Sequence, residues 1–271
     1  MTADPPRRGL AGAVAGVGRR TVQAIEEWGY FAHLLVEALH WILLGPFKGQ
    51  PVRLAGVFSR MLVIGVQAAP IVIVLTFTIG VMLAIQGIHT LKVFGAESQV
   101  VVGIALSVTR EFAPMITGIL VAGRSGSALA AEIGTMQIGQ EVDALRVIGI
   151  NPVRHLVAPA LLAMVVMVPA LTVIADAFAL LGGAFYTSLE LGLSVHGYMD
   201  QTFQVLEVGD VGQGLYKSLV FALLITLVGV SNGFTVSGGA EGVGRATTRA
   251  VVQSIAYIVV ADMLFTFFLT R

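Results

Sequence analysis

Cysteine is absent from the 271 residues and charge is scarce: 16 Lys and Arg balance 16 Asp and Glu, together 12% of the chain. Without a thiol there is no disulfide framework, no thiolate metal site and no cysteine nucleophile, although the redox compartment stays open. Soluble domains carry roughly 25% charged residues, so this chain has too few polar side chains to coat a globule. A formal net charge of zero removes the basic field that holds nucleic acid. No RNP, zinc-finger or basic-helix motif compensates, and a nucleic-acid partner is not expected. His89, His155 and His196 are scattered and no HExxH spacing occurs, so no metal site is expected. There is no GxSxG elbow and no convergent Ser, His and Asp set. The nearest approach to a Walker A loop, GAEGVGRATT at Gly239–Thr248, lacks the Lys and the following Ser or Thr in register. The chain is therefore expected to be non-enzymatic, with no catalytic residue and no cofactor of its own, and any ATP must be bound elsewhere. MTADPPRRGL is not followed by an apolar stretch of roughly 7–15 residues with a small-residue cleavage site, so no cleavable signal is expected.

What is present is hydrophobicity. The chain is 56% hydrophobic, with a mean hydropathy of +0.88 and 32 glycines, a composition that suits membrane helices packed through small side chains. Five stretches satisfy the roughly 20 residues needed to cross about 30 Å of hydrocarbon: about Met61–Ile88 with a kink expected at Pro70, Val100–Ala122, Leu156–Tyr186, Ser218–Val236 and Ala250–Thr270. Ahead of them, Val22, Ile25, Trp28, Phe31, Leu35, Leu39 and Ile42 recur every three or four positions, opposite Arg19, Gln23, Glu26, Tyr30, His33 and Glu37. That pattern is an amphipathic helix suited to the membrane interface, or else a helix packed on the rest of the protein. Gly45, Pro46, Gly49 and Pro51 end it. The fold class expected is an all-α integral membrane protein: residues 1–52 form an N-terminal cytoplasmic segment and interfacial helix, and residues 53–271 the transmembrane domain.

Lys and Arg set the orientation. With the N-terminus cytoplasmic, Arg7, Arg8, Arg19, Arg20, Lys48, Arg53, Arg60, Arg124, Arg146, Arg154, Arg245 and Arg249 lie inside, and Lys92, Lys217 and Arg271 outside. The C-terminus is then external. Thr187–Gly214 carries Glu190, Asp200, Glu207 and Asp210 but no Lys or Arg, and reads as a small external helical excursion. Thr247 and Thr248 are expected to help cap the fifth span.

Between the second and third spans lies the most polar stretch, Gly123–His155. Ile138, Val142 and Leu145 fall at i, i+4 and i+7 while Glu141, Asp143 and Arg146 project elsewhere, a short amphipathic helix able to dock on a soluble partner; a plain loop is the alternative. Arg110 and Glu111 fall inside the second span, where each ionised group costs roughly 2.5–3.5 kcal/mol on insertion scales. As helix neighbours they point about 100° apart and each needs its own partner or water. Lys217 and Asp262 are the opposite charges at hand. The result is either a polar floor or gate for an amphiphile, or an ion-pair network that locks helices together. Asp176 is a lone acid in the third span, and with Glu111 and Asp262 it would serve a proton-coupled transporter.

The run REFAPMITGILVAGRSGSALAAEIGTM (Arg110–Met136), continued by EVDALRVIGINPVRHLVAPALL (Glu141–Leu162) and by SNGFTVSGGAEGVGRATTRAVVQS (Ser231–Ser254), resembles the MlaE/YrbE permease family from about Leu54 to the C-terminus. The resemblance implies a homodimeric permease of an ATP-binding-cassette transporter in the bacterial inner membrane. It implies two cytoplasmic ATPase subunits carrying ATP and Mg, a STAS-domain accessory protein and a periplasmic MCE-type protein, expected as a hexamer. The cargo would be phospholipid moved between inner and outer membranes to maintain outer-membrane asymmetry; related permeases take sterols or other lipids. By the family pattern the segment at about 127–149 is the coupling helix, with Glu132, Met136, Glu141, Asp143, Leu145 and Arg146 facing the ATPase. A lipid pocket is implied between the outer part of span one and spans two and five, involving Leu83, Ile88, Leu91, Phe94, Arg110, Glu111 and Lys217.

Overall fold

A computed structural model describes residues 10–269; Arg7, Arg8, Thr270 and Arg271, named above for orientation and span length, lie outside the described residues, as does most of the N-terminal decapeptide. Eight helical columns account for most of it: α1 (Leu10–Leu44), α2 (Leu54–Lys92), α3 (Val100–Ile138), α4 (Glu141–Val147), α5 (Val153–Leu191), α6 (Val195–Val205), α7 (Val208–Phe234) and α8 (Gly239–Leu269). Of these, α2, α3, α5, α7 and α8 are long and apolar enough to cross a membrane. Among the described residues there is no strand, as expected where every backbone polar group must be satisfied within its own segment. The protein is an all-α, multi-pass membrane protein.

The spans are longer than the hydropathy runs. The second does not stop at Ala122 but continues through a π-helical turn at Ala122–Gly126 into Ser127–Ile138. The segment expected as one coupling helix over 127–149 is thus divided: its first half is the end of span two, and only α4 stands apart, behind a tight turn in which Gln140 takes a left-handed φ of 58°. The external excursion shrinks likewise. Span three runs on to Leu191 and ends at Gly192, whose φ of 67° suits a residue without Cβ, so only α6 and its two short connections lie between spans three and four. The fifth span begins at Gly239. Thr247 and Thr248 therefore sit inside it, their hydroxyls donating to the carbonyl of Gly244 rather than capping its start.

Proline shapes three of the columns. Pro70, Pro114 and Pro159 have no N–H to donate to the carbonyls of Val66, Arg110 and His155, and each of those residues lies in a π-helical turn: Leu62–Val66, Val108–Phe112 and Val153–Val157. The wide turn absorbs the missing hydrogen bond, so the kink expected at Pro70 appears as a change of register just before it.

Glycine fixes the bundle. A Cβ on Gly80 would lie 1.9 Å from the Ala179 carbonyl oxygen, and one on Gly182 would lie 2.1 Å from that of Phe77, so spans one and three touch backbone to backbone. Span four lies along span two in the same way: a Cβ on Gly214 would meet the Thr109 oxygen at 2.3 Å, and one on Gly233 would meet Ile133 at 2.7 Å. Helix α1 combines both expectations held for it. Phe31, Leu34 and Ala38 are buried against spans three and four, while Val22, Ile25, Val36, Leu39 and Leu43 stay exposed as a second apolar stripe that suits lipid. A polar chain secures it: Asn232 donates to Gln253 at 2.7 Å, Gln253 donates to Glu27 at 2.9 Å, and Asn151 donates to Glu37 at 2.8 Å.

Candidate functional site

The contact of Gly214 with the Thr109 backbone decides where the intramembrane charges go. One turn before Gly214, Asp210 comes beside Arg110; one turn after it, Lys217 comes beside Glu111. Arg110 donates from Nε to Asp210 Oδ1 at 2.8 Å, with a guanidinium nitrogen 2.6 Å from the same oxygen. The other Asp210 oxygen accepts from the Glu207 backbone N–H at 2.9 Å, and Glu207 reciprocates at the start of α7 as a capping box. Asp210, assigned by sequence to the external excursion, is therefore the partner of Arg110, in place of Asp262. Its only advance signal was the Glu-x-x-Asp spacing ahead of an apolar run.

Lys217 is fully buried at 0% exposure. Its Nζ lies 2.5 Å from Glu111 Oε2 and 3.0 Å from Asp262 Oδ1, and it donates to Thr266 Oγ1 at 3.1 Å. The Thr266 hydroxyl is also 3.1 Å from both Glu111 oxygens. Spans two, four and five are thus tied at one point by two carboxylates around one ammonium. The neighbours Arg110 and Glu111 each found a separate partner, as helix geometry requires; Thr266 gave no warning in sequence. Asp176 in span three is set apart, with Oδ1 buried and unpartnered.

The residues assigned to a lipid pocket are not brought together as one lining. Leu83 and Leu91 border a groove of about 300 Å³ between spans one and two, closed by Val100, Gly103 and Ser107. Ile88 is 3% exposed and packs inward, and Phe94 lies 76% exposed in the turn after span one. Arg110, Glu111 and Lys217 sit in the ion pairs just described, so Lys217 offers no free ammonium to a phosphate.

At the arginine-rich end, Glu132 is not free for a partner either: Arg60 donates to both its oxygens, at 2.8 and 3.1 Å, joining spans one and two. Met136 lines the cleft beside that pair. Glu141, Asp143 and Arg146 are exposed on α4, where Arg146 donates to Asp143 at 3.0 Å, and Leu145 is half-buried. Val142 anchors the helix, while Val147 and Ile148 project at 87% and 67% exposure. Those two apolar side chains escaped the sequence reading, which followed the buried stripe of α4 rather than its exposed end.

Comparison with known proteins bears on what such a bundle does. The profile of the family described as Permease MlaE matches residues 57–268. A probable ABC transporter permease protein of Rickettsia typhi is 35% identical over 250 residues, 92% of this chain and 95% of that protein. The intermembrane phospholipid transport system permease protein MlaE of Haemophilus influenzae is 32% identical over 214 residues, 77% of this chain and 80% of its own. The chloroplastic protein TRIGALACTOSYLDIACYLGLYCEROL 1 of Arabidopsis thaliana is 37% identical over 190 residues, 70% of this chain and 54% of that protein. With five apolar columns, an exposed helical tip at the arginine-rich end and a match covering all five spans, this chain belongs to the MlaE permease family of ABC transporters.

Proposed function

We propose that the protein is the membrane-embedded, non-catalytic subunit of an ATP-driven phospholipid transporter in a bacterial inner membrane, acting as a homodimer. In this reading the N-terminus is cytoplasmic and the C-terminus periplasmic. Two ATPase subunits carrying ATP and Mg dock at α4, a STAS-domain protein accompanies them, and an MCE-type protein associates on the periplasmic side. The observation that carries the reading is the tip itself: a seven-residue helix held by buried Val142 and presenting Val147 and Ile148 beyond the bundle. Exposed apolar side chains on a rigid tip are what a soluble partner's groove would cover. The name of the Haemophilus relative supports phospholipid as cargo. ATP-driven movement at the tip would bias the packing of spans two and three, between which α4 is strung.

The test is purification of the tagged protein from its native membranes with mass spectrometry of co-purifying proteins and lipids. An ATPase, an MCE-type protein and enriched phospholipid are expected; sterol or another lipid in place of phospholipid would revise the cargo alone. Recovery without any ATPase would overturn the coupling role of α4. It would favour a proton-coupled secondary transporter, for which the two carboxylates sharing Lys217 and the unpartnered Asp176 are the relevant groups.

A further inference from the structure

Spans one, two and three enclose a cleft at the arginine-rich end that no step above uses. Its outer part, about 450 Å³, is bordered by Arg53, Arg60, Arg154 and His155; its inner part, about 330 Å³, by Val63, Ile64, Leu129 and Met164. Each lies in the size range of small-molecule sites. Arg53 and Ile64 are eleven residues apart, roughly 16 Å of helix rise, so the cleft is basic at its mouth and apolar towards the bilayer centre.

Its charges do not cancel. Arg60 is held by Glu132, the one carboxylate bordering the cleft among the described residues. Arg154 donates to the Gln50 side-chain oxygen and lies 5.3 Å from the centre of the Trp41 ring, both neutral partners. Arg53 has no carboxylate within ion-pair distance among the described residues. Three arginines therefore face one glutamate. Deeper in, Ser125 is 6% exposed and its hydroxyl has no hydrogen-bond partner. A buried unpaired hydroxyl between the Arg60–Glu132 pair and the apolar Val63, Ile64, Leu129 and Met164 is where a polar linkage between head and tail would be satisfied.

We propose that this cleft admits a phospholipid from the cytoplasmic leaflet, its phosphate on Arg53 and Arg154, its ester region at Ser125, and one acyl chain along Val63, Ile64 and Met164. Arginine suits this task because its planar fork of donors matches phosphate oxygens. The Arg60–Glu132 pair forms the waist between head and tail. The site lies between spans one, two and three, whereas the Glu111–Lys217–Asp262 cluster joins spans two, four and five, and it is at the other end of spans one and two from the Leu83 groove. The inference rests on the lipid-transport reading, but binding is measured without ATP, so its failure leaves ATP-driven transfer untouched.

The test uses the full chain in phosphatidylcholine nanodiscs containing a phosphatidylglycerol with a photoactivatable diazirine in one acyl chain. Cross-links are expected on peptides carrying Val63, Ile64 or Met164. R53Q/R154Q removes both phosphate contacts and should lower their yield at least about tenfold, whereas R249Q on exposed Arg249 should leave it unchanged. A128F narrows the cleft without removing a charge and should abolish the same cross-links, a second readout independent of the double variant. Glycerol phosphate and inorganic phosphate are added as competitors. Survival of the cross-links at millimolar competitor supports a lipid ligand. Complete competition by inorganic phosphate, with no cross-link dependent on Ala128, would reduce the cleft to a free-phosphate site and overturn the proposal, as would equal labelling of R53Q/R154Q and the unaltered protein.

Discussion

Replacing Lys217 by methionine removes the single cation from a point where three spans converge. Methionine keeps the length and apolar stem of lysine, so packing of α7 against spans two and five changes little and the perturbation is electrostatic. The ammonium is fully buried and stands 2.5 Å from Glu111 and 3.0 Å from Asp262, whose side chains are 30% and 13% exposed. Breaking a buried pair by removing one partner costs about 3–5 kcal/mol, because the remaining charge is left in a poor solvent. For a chain of 271 residues, just above the size for which about 2–4 °C of midpoint accompanies each kcal/mol, K217M should unfold roughly 6–20 °C below the unaltered protein in nanodiscs. The triple variant K217M/E111Q/D262N removes the stranded carboxylates and should recover most of the loss, since neutral replacement of a whole buried ionic group is often close to neutral. Lipid transfer by the triple variant then separates the two meanings of the cluster. Full transfer marks a structural lock, and a folded but inactive protein marks a gate. A K217M midpoint within about one degree of the unaltered one, or a triple variant no more stable than the single, would refute the reasoning and mean that these charges are hydrated independently.

Further outcomes follow from particular contacts. G80V should fail to yield folded protein, because its Cβ would fall 1.9 Å from a backbone oxygen that cannot retreat, whereas G244A, with nothing within 4 Å, should fold normally; monodispersity on size exclusion distinguishes them. D210A should destabilise more than D210N, since alanine loses both the contact with Arg110 and the cap on Glu207, a cap alone being worth about 0.5–2 kcal/mol. V147D/I148D should leave the thermal midpoint unchanged while abolishing ATPase recovery in the pulldown. Tyr198, in α6 outside the spans, is wholly enclosed beside Gly183 with its hydroxyl unpartnered, and burial pushes its pKa up. A raised folded-state pKa means its stabilising effect is complete below about pH 10 and is lost above it, where the unfolded chain ionises more readily. Y198F should remove that alkaline loss and, having no hydrogen bond to forfeit, should cost less than about 1 kcal/mol at pH 7.

The family relationship also bears on which surfaces meet other molecules. Span five is the least enclosed of the five, with only 11% of its apolar window buried, against 67% for span four. Span four is the axis of the bundle, packed along span two through Gly214, Gly229 and Gly233. The exposed side of span five, carrying Val252, Val259, Val260, Met263 and Phe267, therefore faces lipid or a second copy, as the homodimer proposal requires.

The sequence by itself determined the class of the molecule. A chain with 12% charge and five long apolar runs can satisfy its backbone only as membrane helices. The same local physics revealed that Arg110 and Glu111 could not serve each other, that α1 had an apolar stripe, and that an amphipathic turn of helix followed span two. What it did not contain was partnership across the bundle. Arg110 meets Asp210 and Lys217 meets Glu111 over separations of 100 and 106 residues. Those pairings exist because Gly214 admits the Thr109 backbone and sets the register of two helices, a contact that no periodicity encodes. Nor did hydropathy mark where the columns end. Ser127–Ile138 reads as part of a separate coupling helix and Gly239–Thr248 lies ahead of the fifth hydropathy run, yet both continue spans, because neighbouring spans cover one side of them. Tertiary structure alone decided these things, because hydrogen-bond geometry is local and can be read along a chain, whereas the pairing of buried charges depends on which backbones can approach within van der Waals distance.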